Sequence, residues 1–312
     1  MAVRRHHYPR SHTPVSPPPR GVDIALLLGT SLEDRWRRVM AELRRNQRRC
    51  SEESIHDLRV AMRRMMATID VVLMVVPLEG LRKARRSLRK YLRSFNELRD
   101  THIQILAVRG LTRRFPALRP LRLDLLRRQR VLVGRARRRI REIPAPAIEQ
   151  AVAAASQALQ NRYTTPMLQS IGRTIVHGAL GAAFATAVER RVRLTAADTT
   201  TIHRLRVAFK KCRYMTEVLQ PLLPSVRRKV LKQMNVYQTR LGAVQDAVVL
   251  TASVNRFALR RRRGSSLTFM PVHLFLAERQ KQAIDDVMKS ADELYPFWRS
   301  SEPSAQSGSS DR

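Results

Sequence analysis

Cysteine occurs only at Cys50 and Cys212, which is too little for a disulfide framework and lacks the clustered spacing of a zinc site. Aromatic residues make up 5% of the chain, sparse for the stacking platforms that readers of single-stranded nucleic acid recruit. Glycine is scarce, at 11 residues in 312, and alternating β-branched stretches are missing, which argues against sheet layers. No P-loop, zinc-finger or RNA-binding-sheet signature is present. No stretch approaches the ~18 apolar residues of a membrane span, and the apolar run at 24–28 is too short for the core of a signal peptide. The expectation is an intracellular, cytoplasmic protein without a membrane span, its two thiols buried and reduced.

Acid is the other shortage. Asp and Glu total 25 against 60 Lys and Arg, a net charge of +35. Such an excess repels itself in a folded chain and attracts polyanions, so phosphate polymers or anionic surfaces become the leading partners. Arginine dominates the basic residues, and its planar fork can grip phosphate oxygens two at a time. Hydrophobic residues make up 44%, enough to exclude wholesale disorder.

Residues 1–22 are rich in Pro, His and Arg and carry no periodicity, and 299–312 are equally irregular; both read as disordered tails. Between them nearly every segment has helical period. Prolines at 77, 116, 120, 144, 146, 166, 221, 224 and 271 fall as breaks, predicting helices of about 15 to 25 residues and an all-α fold. The stretch 146–165 is the least basic and reads as a linker between a first bundle at about 23–145 and a second at about 166–298.

The two halves repeat a phrase. IHDLRVAMRR begins at Ile55 and IHRLRVAFKK at Ile202; His56 precedes Asp100 by 44 residues and His203 precedes Asp246 by 43. Between these anchors Arg82 aligns with Arg228, Arg86 with Lys232, Tyr91 with Tyr237, and Leu98-Arg99-Asp100 with Val244-Gln245-Asp246. The period is too long for a solenoid and predicts two similar bundles related by an approximate twofold.

At ~100° per residue, His56, Arg59 and Arg63 share one helix face with Arg64 at its edge, while Leu58, Ala61, Met62, Met65, Ile69 and Val72 lie opposite. The second copy sets His203, Arg206 and Lys210, flanked by Lys211 and Arg213, against Leu205, Ala208, Phe209, Cys212 and Leu219. Arg82, Arg86, Arg89 and Arg93 form a further basic stripe opposite Ala84, Leu88, Tyr91, Phe95 and Leu98; its weaker counterpart holds Arg228 and Lys232. Like charges three, four and seven residues apart destabilise an isolated helix, so a bound polyanion is the natural compensation. A solvated amphipathic face is the alternative, but such faces normally intersperse Glu and Asp, and here they are nearly absent.

The paired histidines could donate to phosphate, ligate a metal or accept a phosphoryl group. Their cationic neighbours disfavour a metal, and phosphoryl transfer needs carboxylate-held metal for which only Asp100 and Asp246 recur. Donation to phosphate is the favoured role. It predicts tighter binding as pH falls through the ordinary histidine pKa of ~6.5.

The doubled I-H-x-L-R-V-A-x-[RK]-[RK], Arg213-Tyr214 and the Leu-Arg-Asp at 98–100 with its Gln-Asp counterpart at 245–246 resemble the CHAD family, named for a histidine-bearing α-helical domain. The likeness extends over roughly residues 30–298. It implies two helical bundles with pseudo-twofold symmetry around a basic cavity that binds inorganic polyphosphate, and association with polyphosphate granules; no cofactor or metal is expected. The basic positions carried over are His56, Arg59, Arg63 and Arg64 with His203, Arg206, Lys210, Lys211 and Arg213, and, less securely, the stripe at 82–93. The Glu-x-Glu-x-Lys motif of the triphosphate-cleaving barrel sometimes fused to such domains is missing, which implies a stand-alone, non-catalytic binding module. Two rivals stand beside it: a non-specific nucleic-acid binder, to which the basic clusters at 127–142 and 260–263 would contribute, and a polyphosphate-processing enzyme.

Overall fold

A computed structural model describes residues 21–260 and 265–301; the N-terminal tail up to residue 20, most of the 260–263 cluster and residues 302–312 lie outside the described residues. Among the described residues there is no strand. Eleven α-helices follow in order: α1 (Ile24–Arg48), α2 (Glu52–Val75), α3 (Glu79–Ser94), α4 (Asn96–Leu111), α5 (Arg119–Arg141), α6 (Ala145–Arg162), α7 (Pro166–Val192), α8 (Thr199–Leu219), α9 (Arg228–Arg260), α10 (Ser265–Ser290) and α11 (Leu294–Ser301). The all-α expectation holds.

The helix starts follow from local chemistry. Ser51 and Ser54 form a capping box at α2, the Ser51 hydroxyl accepting from the Ser54 amide at 3.2 Å. Asp23, Thr165 and Asp198 cap α1, α7 and α8, and Pro166 occupies the first turn of α7, where its missing N–H has no intrahelical partner to lose. One expected break does not occur: Pro271 lies inside α10. Helix α9 runs unbroken for 33 residues through Gly242, longer than the range expected from the proline spacing.

The stretch read as a linker is mostly helix. Its face of Ile148, Val152, Ala155 and Leu159 is buried, and α6 packs on α1 and α3. The low charge of this stretch suits that buried face. The packed chain reaches slightly into both segments read as tails: Val22 packs on the core, and α11 continues to Ser301.

The core does not divide between the two halves. One continuous cluster runs from Ile24 through Leu58, Phe95 and Leu159 to Phe209, Tyr237 and Phe297. A second unites Val108 and Leu121 of α4 and α5 with Val254, Val272 and Leu276 of α9 and α10. There Ser253 donates to Gln104 at 2.7 Å, tying α9 to α4 through a buried hydrogen bond. Both cores therefore draw on residues from each end of the chain. The helix α2 packs on α1 and α3 and also on α7 and α8, so it joins the helices of the two halves.

Helix α7 was underestimated by the sequence reading: it is long and apolar enough to cross a membrane by length and composition, with a mean hydropathy of 1.3 over its best window. Its apolar residues have another use here. Val176, Leu180, Ala183, Phe184 and Ala187 are buried in the core, and Trp298 stacks edge-on against Phe184 at 5.3 Å between centroids.

Gly172 of α7 lies close against Tyr163 and Ile24. A Cβ there would lie 2.8 Å from Cε1 of Tyr163 and 3.1 Å from Ile24, and Tyr163 is itself buried and donates to the Val75 carbonyl at 3.2 Å. Gly172→Ala is expected to destabilise by about 1–3 kcal/mol through overpacking, despite alanine's better helix propensity. Gly178→Ala on the same helix meets nothing within 4 Å and is expected to stabilise by up to about 1 kcal/mol. Chemical denaturation of the two variants checks the pair, and equal effects would contradict the packing described.

Candidate functional site

The apolar face of each repeated phrase is buried as the periodicity requires: Leu58, Ala61, Met62 and Met65 on α2, and Leu205, Phe209 and Cys212 on α8. Because α2 packs on α8, the opposite faces of the two phrases are brought to one seam. Arg63 of α2 and Arg206 of α8 lie within electrostatic range of each other, and Lys210 feels Arg63, Arg206, Arg59 and Arg213. Two residues beyond the predicted set join them, Arg99 of α4 and Arg279 of α10. Arg59, Arg63, Arg99, Arg206 and Lys210 thus gather around two carboxylates, Asp100 and Asp246. Among the described residues neither carboxylate closes an ion pair, so positive charge is left in excess.

The seam is partly buried, and this has measurable consequences. Burial, followed by the neighbouring Arg63 and Arg206, lowers the Lys210 pKa to about 8. Burial and Arg63 lower that of Arg59, which is only 3% exposed; a guanidinium nonetheless keeps its proton at neutral pH. Burial and Arg99 lower that of His56, so its protonation requires a pH below the ordinary histidine value assumed from the sequence. Asp100 and Asp246 retain solvent contact, yet desolvation raises both above the usual carboxylate range against the pull of the arginines.

The predicted residues fall into three groups. Arg63, Arg206 and Lys210 are seam cations with no ion pair among the described residues, and the Arg206 Nε is buried without a hydrogen-bond partner. His56 stands beside them; His203 is exposed, its Nδ1 3.1 Å from the Gln245 amide oxygen.

In the second group the cation is already occupied by the protein. Arg59 donates to the Leu92 carbonyl and to Asn96 Oδ1, both at 3.0 Å, where it satisfies an end carbonyl of α3 at the break before α4. At the matched position on α8, Arg206 lies against Gly242, whose added Cβ would sit 3.4 Å from the Arg206 Nε; there α9 is continuous. Arg64 lies 3.3 Å from Glu217, which also binds Arg213. Arg213 further donates to Gln238 at 2.9 Å and stacks 4.4 Å over Tyr214. These arginines tie helices together.

The third group lies away from the seam. Arg82 and Arg86 are exposed and share Glu79, Arg86 at 2.7 Å. Counting along the helices, Arg82 and Arg86 stand roughly 15–21 Å from Asn96, and Arg228 and Lys232 a like distance from Gly242, at ~1.5 Å per residue. Arg89, Arg93 and Lys211 are exposed, Arg93 one residue from the carbonyl that Arg59 caps.

The sequence missed Arg99 although it belongs to the recurring Leu-Arg-Asp triplet, and the adjoining Asp100 was the signal available. Arg279 carried no signal, because only the packing of α10 brings it near Asp246.

The CHAD domain family profile matches residues 31–255 of this chain. Among solved structures, the crystal structure of the CHAD domain from the plant Ricinus communis has a similar fold, with 16% sequence identity and a TM-score of 0.62 over 93% of this chain and 97% of that one. No curated protein matches. The profile covers well over half of the sequence and includes both copies of the repeated phrase, and this chain belongs to the CHAD domain family.

Proposed function

We propose that the protein binds inorganic polyphosphate along the seam between α2 and α8, without transforming it. One observation carries the reading: Arg63, Arg206 and Lys210 are driven together by core packing, with no ion pair to any of them among the described residues. Charges held this way raise the free energy of the empty protein, and a chain of phosphates with closely spaced negative charges offsets that cost. Family membership supports the same ligand, since CHAD domains are related to polyphosphate. A base-free polymer also suits a seam whose aromatic neighbour, Tyr214, is already covered by Arg213. The cytoplasm, at polyphosphate granules, is the location this reading assigns.

Binding without catalysis rests on the chemistry of the two carboxylates. Asp100 and Asp246 face arginines and are raised above their usual pKa range, poor conditions for holding a divalent cation. Turnover of polyphosphate with Mg²⁺ or Mn²⁺ that is abolished by Asp100→Asn and Asp246→Asn would replace this reading with an enzymatic one.

The ligand is tested by competition near physiological salt, polyphosphate against single- and double-stranded DNA and RNA at equal phosphate concentration. Polyphosphate is expected to win, and R63Q/R206Q/K210Q is expected to lose at least about tenfold in polyphosphate affinity, as charge-assisted contacts are worth ~1.5–3 kcal/mol each. Arg59 is left intact in this variant because its removal would also uncap α3. Equal competition by all polyanions, with an unchanged variant, would contradict the proposal and favour a general nucleic-acid surface.

A pH dependence follows from Lys210. Below about pH 8 its ammonium is charged in both free and bound protein. Above that value the free protein loses the proton while bound phosphate retains it, so affinity is expected to fall as pH rises beyond about 8, with proton uptake on binding. In K210Q that decline should largely vanish. His56 adds a second step of the same sign, tighter binding toward acid, displaced below the ordinary histidine range by its lowered pKa. Fluorescence titrations across pH check both, and an affinity that rises above pH 8 would exclude Lys210 as a contact.

A further inference from the structure

A cleft of about 1120 Å³ opens between the end of α1, the start of α2 and the middle of α5, apart from the seam just described. Its walls carry Arg44, Arg45, Arg48 and Arg49 from the α1 side and Arg130 and Arg137 from α5. Few of these charges are matched. Arg45 is taken by Asp57 at 2.8 Å, with Glu42 and Glu53 nearby, and Arg137 approaches the Cys50 thiol. Among the described residues Arg44, Arg48, Arg49 and Arg130 make no ion pair. Of the two carboxylates in the lining, Glu52 is engaged by His102 and Glu53 lies 3.8 Å from Arg45. A buried donor also lacks a partner there, the Nε2 of Gln129.

The cleft adjoins the seam through α2. Asp57, the partner of Arg45, directly follows His56, and His102, the partner of Glu52, lies on α4 two residues beyond Asp100. Along α2, Ser51 in the cleft is roughly 7.5 Å from His56. Of the acids that stand between the two basic sites, Asp57 is paired with Arg45 and Glu52 is in contact with His102.

We infer that this cleft is a second polyphosphate-binding site, which a polymer long enough to leave the seam occupies at the same time. The inference rests on the proposed seam and adds a length preference to it. Linking two modest sites by one chain makes the second contact intramolecular, and avidity then exceeds either affinity by a large factor. A short oligomer held in the seam gains nothing from the cleft.

The test measures binding of tripolyphosphate, long-chain polyphosphate and RNA to wild type, R44Q/R48Q/R130Q and R206Q/K210Q. The cleft variant changes exposed side chains, and an unchanged thermal midpoint verifies its fold. It is expected to bind tripolyphosphate as wild type does, and to lose at least about tenfold for the long chain, with a shallower salt dependence. Equal losses for both lengths, or none for either, would overturn the inference, as would loss of RNA binding with polyphosphate binding retained. The two readings fail separately: R206Q/K210Q binding tripolyphosphate as wild type does would remove the seam, whereas an intact long-chain affinity in R44Q/R48Q/R130Q would remove the cleft.

Discussion

The packing of α2 on α8 is the contact on which the rest depends. Each helix buries one face, with Met62, Met65 and Ile69 on α2 and Phe209, Cys212 and Met215 on α8 all nearly free of solvent. Burying those faces leaves the basic faces no freedom to separate. The hydrophobic effect is non-directional and large in sum, so it can hold together cations that would otherwise part. Lys210 registers both effects: burial first, and then the neighbouring Arg63 and Arg206, lower its pKa.

The surrounding structure limits the conflict to a few groups. Arg59 is given the end of α3 to satisfy, and Arg64 and Arg213 share Glu217 across the helix pair. Asp100 and Asp246 reduce the field at longer range without closing ion pairs. What stays uncompensated is a short row of donors: Arg63, Arg206 and Lys210, with His56 and Arg99 beside them. Preorganised donors of this kind bind phosphate without the entropy cost of collecting long side chains from solvent. Under the proposed function, the stability given up there is what bound polyphosphate would restore.

Much of this was legible in the sequence. The apolar faces of both phrases and of the helix at 79–94 are buried as their periodicity requires, because a 3.6-residue repeat fixes a face whatever it packs against. The site residues were legible only as a set of basic positions. Arg59 and Arg63 are one turn apart and look equivalent, yet Arg59 is consumed by Leu92 and Asn96, partners more than thirty residues away. Arg64 and Arg213 are likewise occupied through Glu217, and Arg279 enters from α10. Such distinctions depend on the crossing of helices, which no single-helix pattern contains. Alanine-rich, uncharged sequence at 145–162 suits a spacer and a close-packed helix equally, and only its packing on α1 and α3 tells the two apart.

The most direct test compares the stability of the empty and the loaded protein in R63M/K210M, in which two seam cations become apolar. If the seam is strained charge awaiting phosphate, this variant melts at a higher temperature than wild type when empty, and long-chain polyphosphate raises its midpoint less than it raises that of wild type. A variant that melts lower when empty and gains as much from polyphosphate as wild type would contradict the account, because the two cations would then serve the fold and not the ligand.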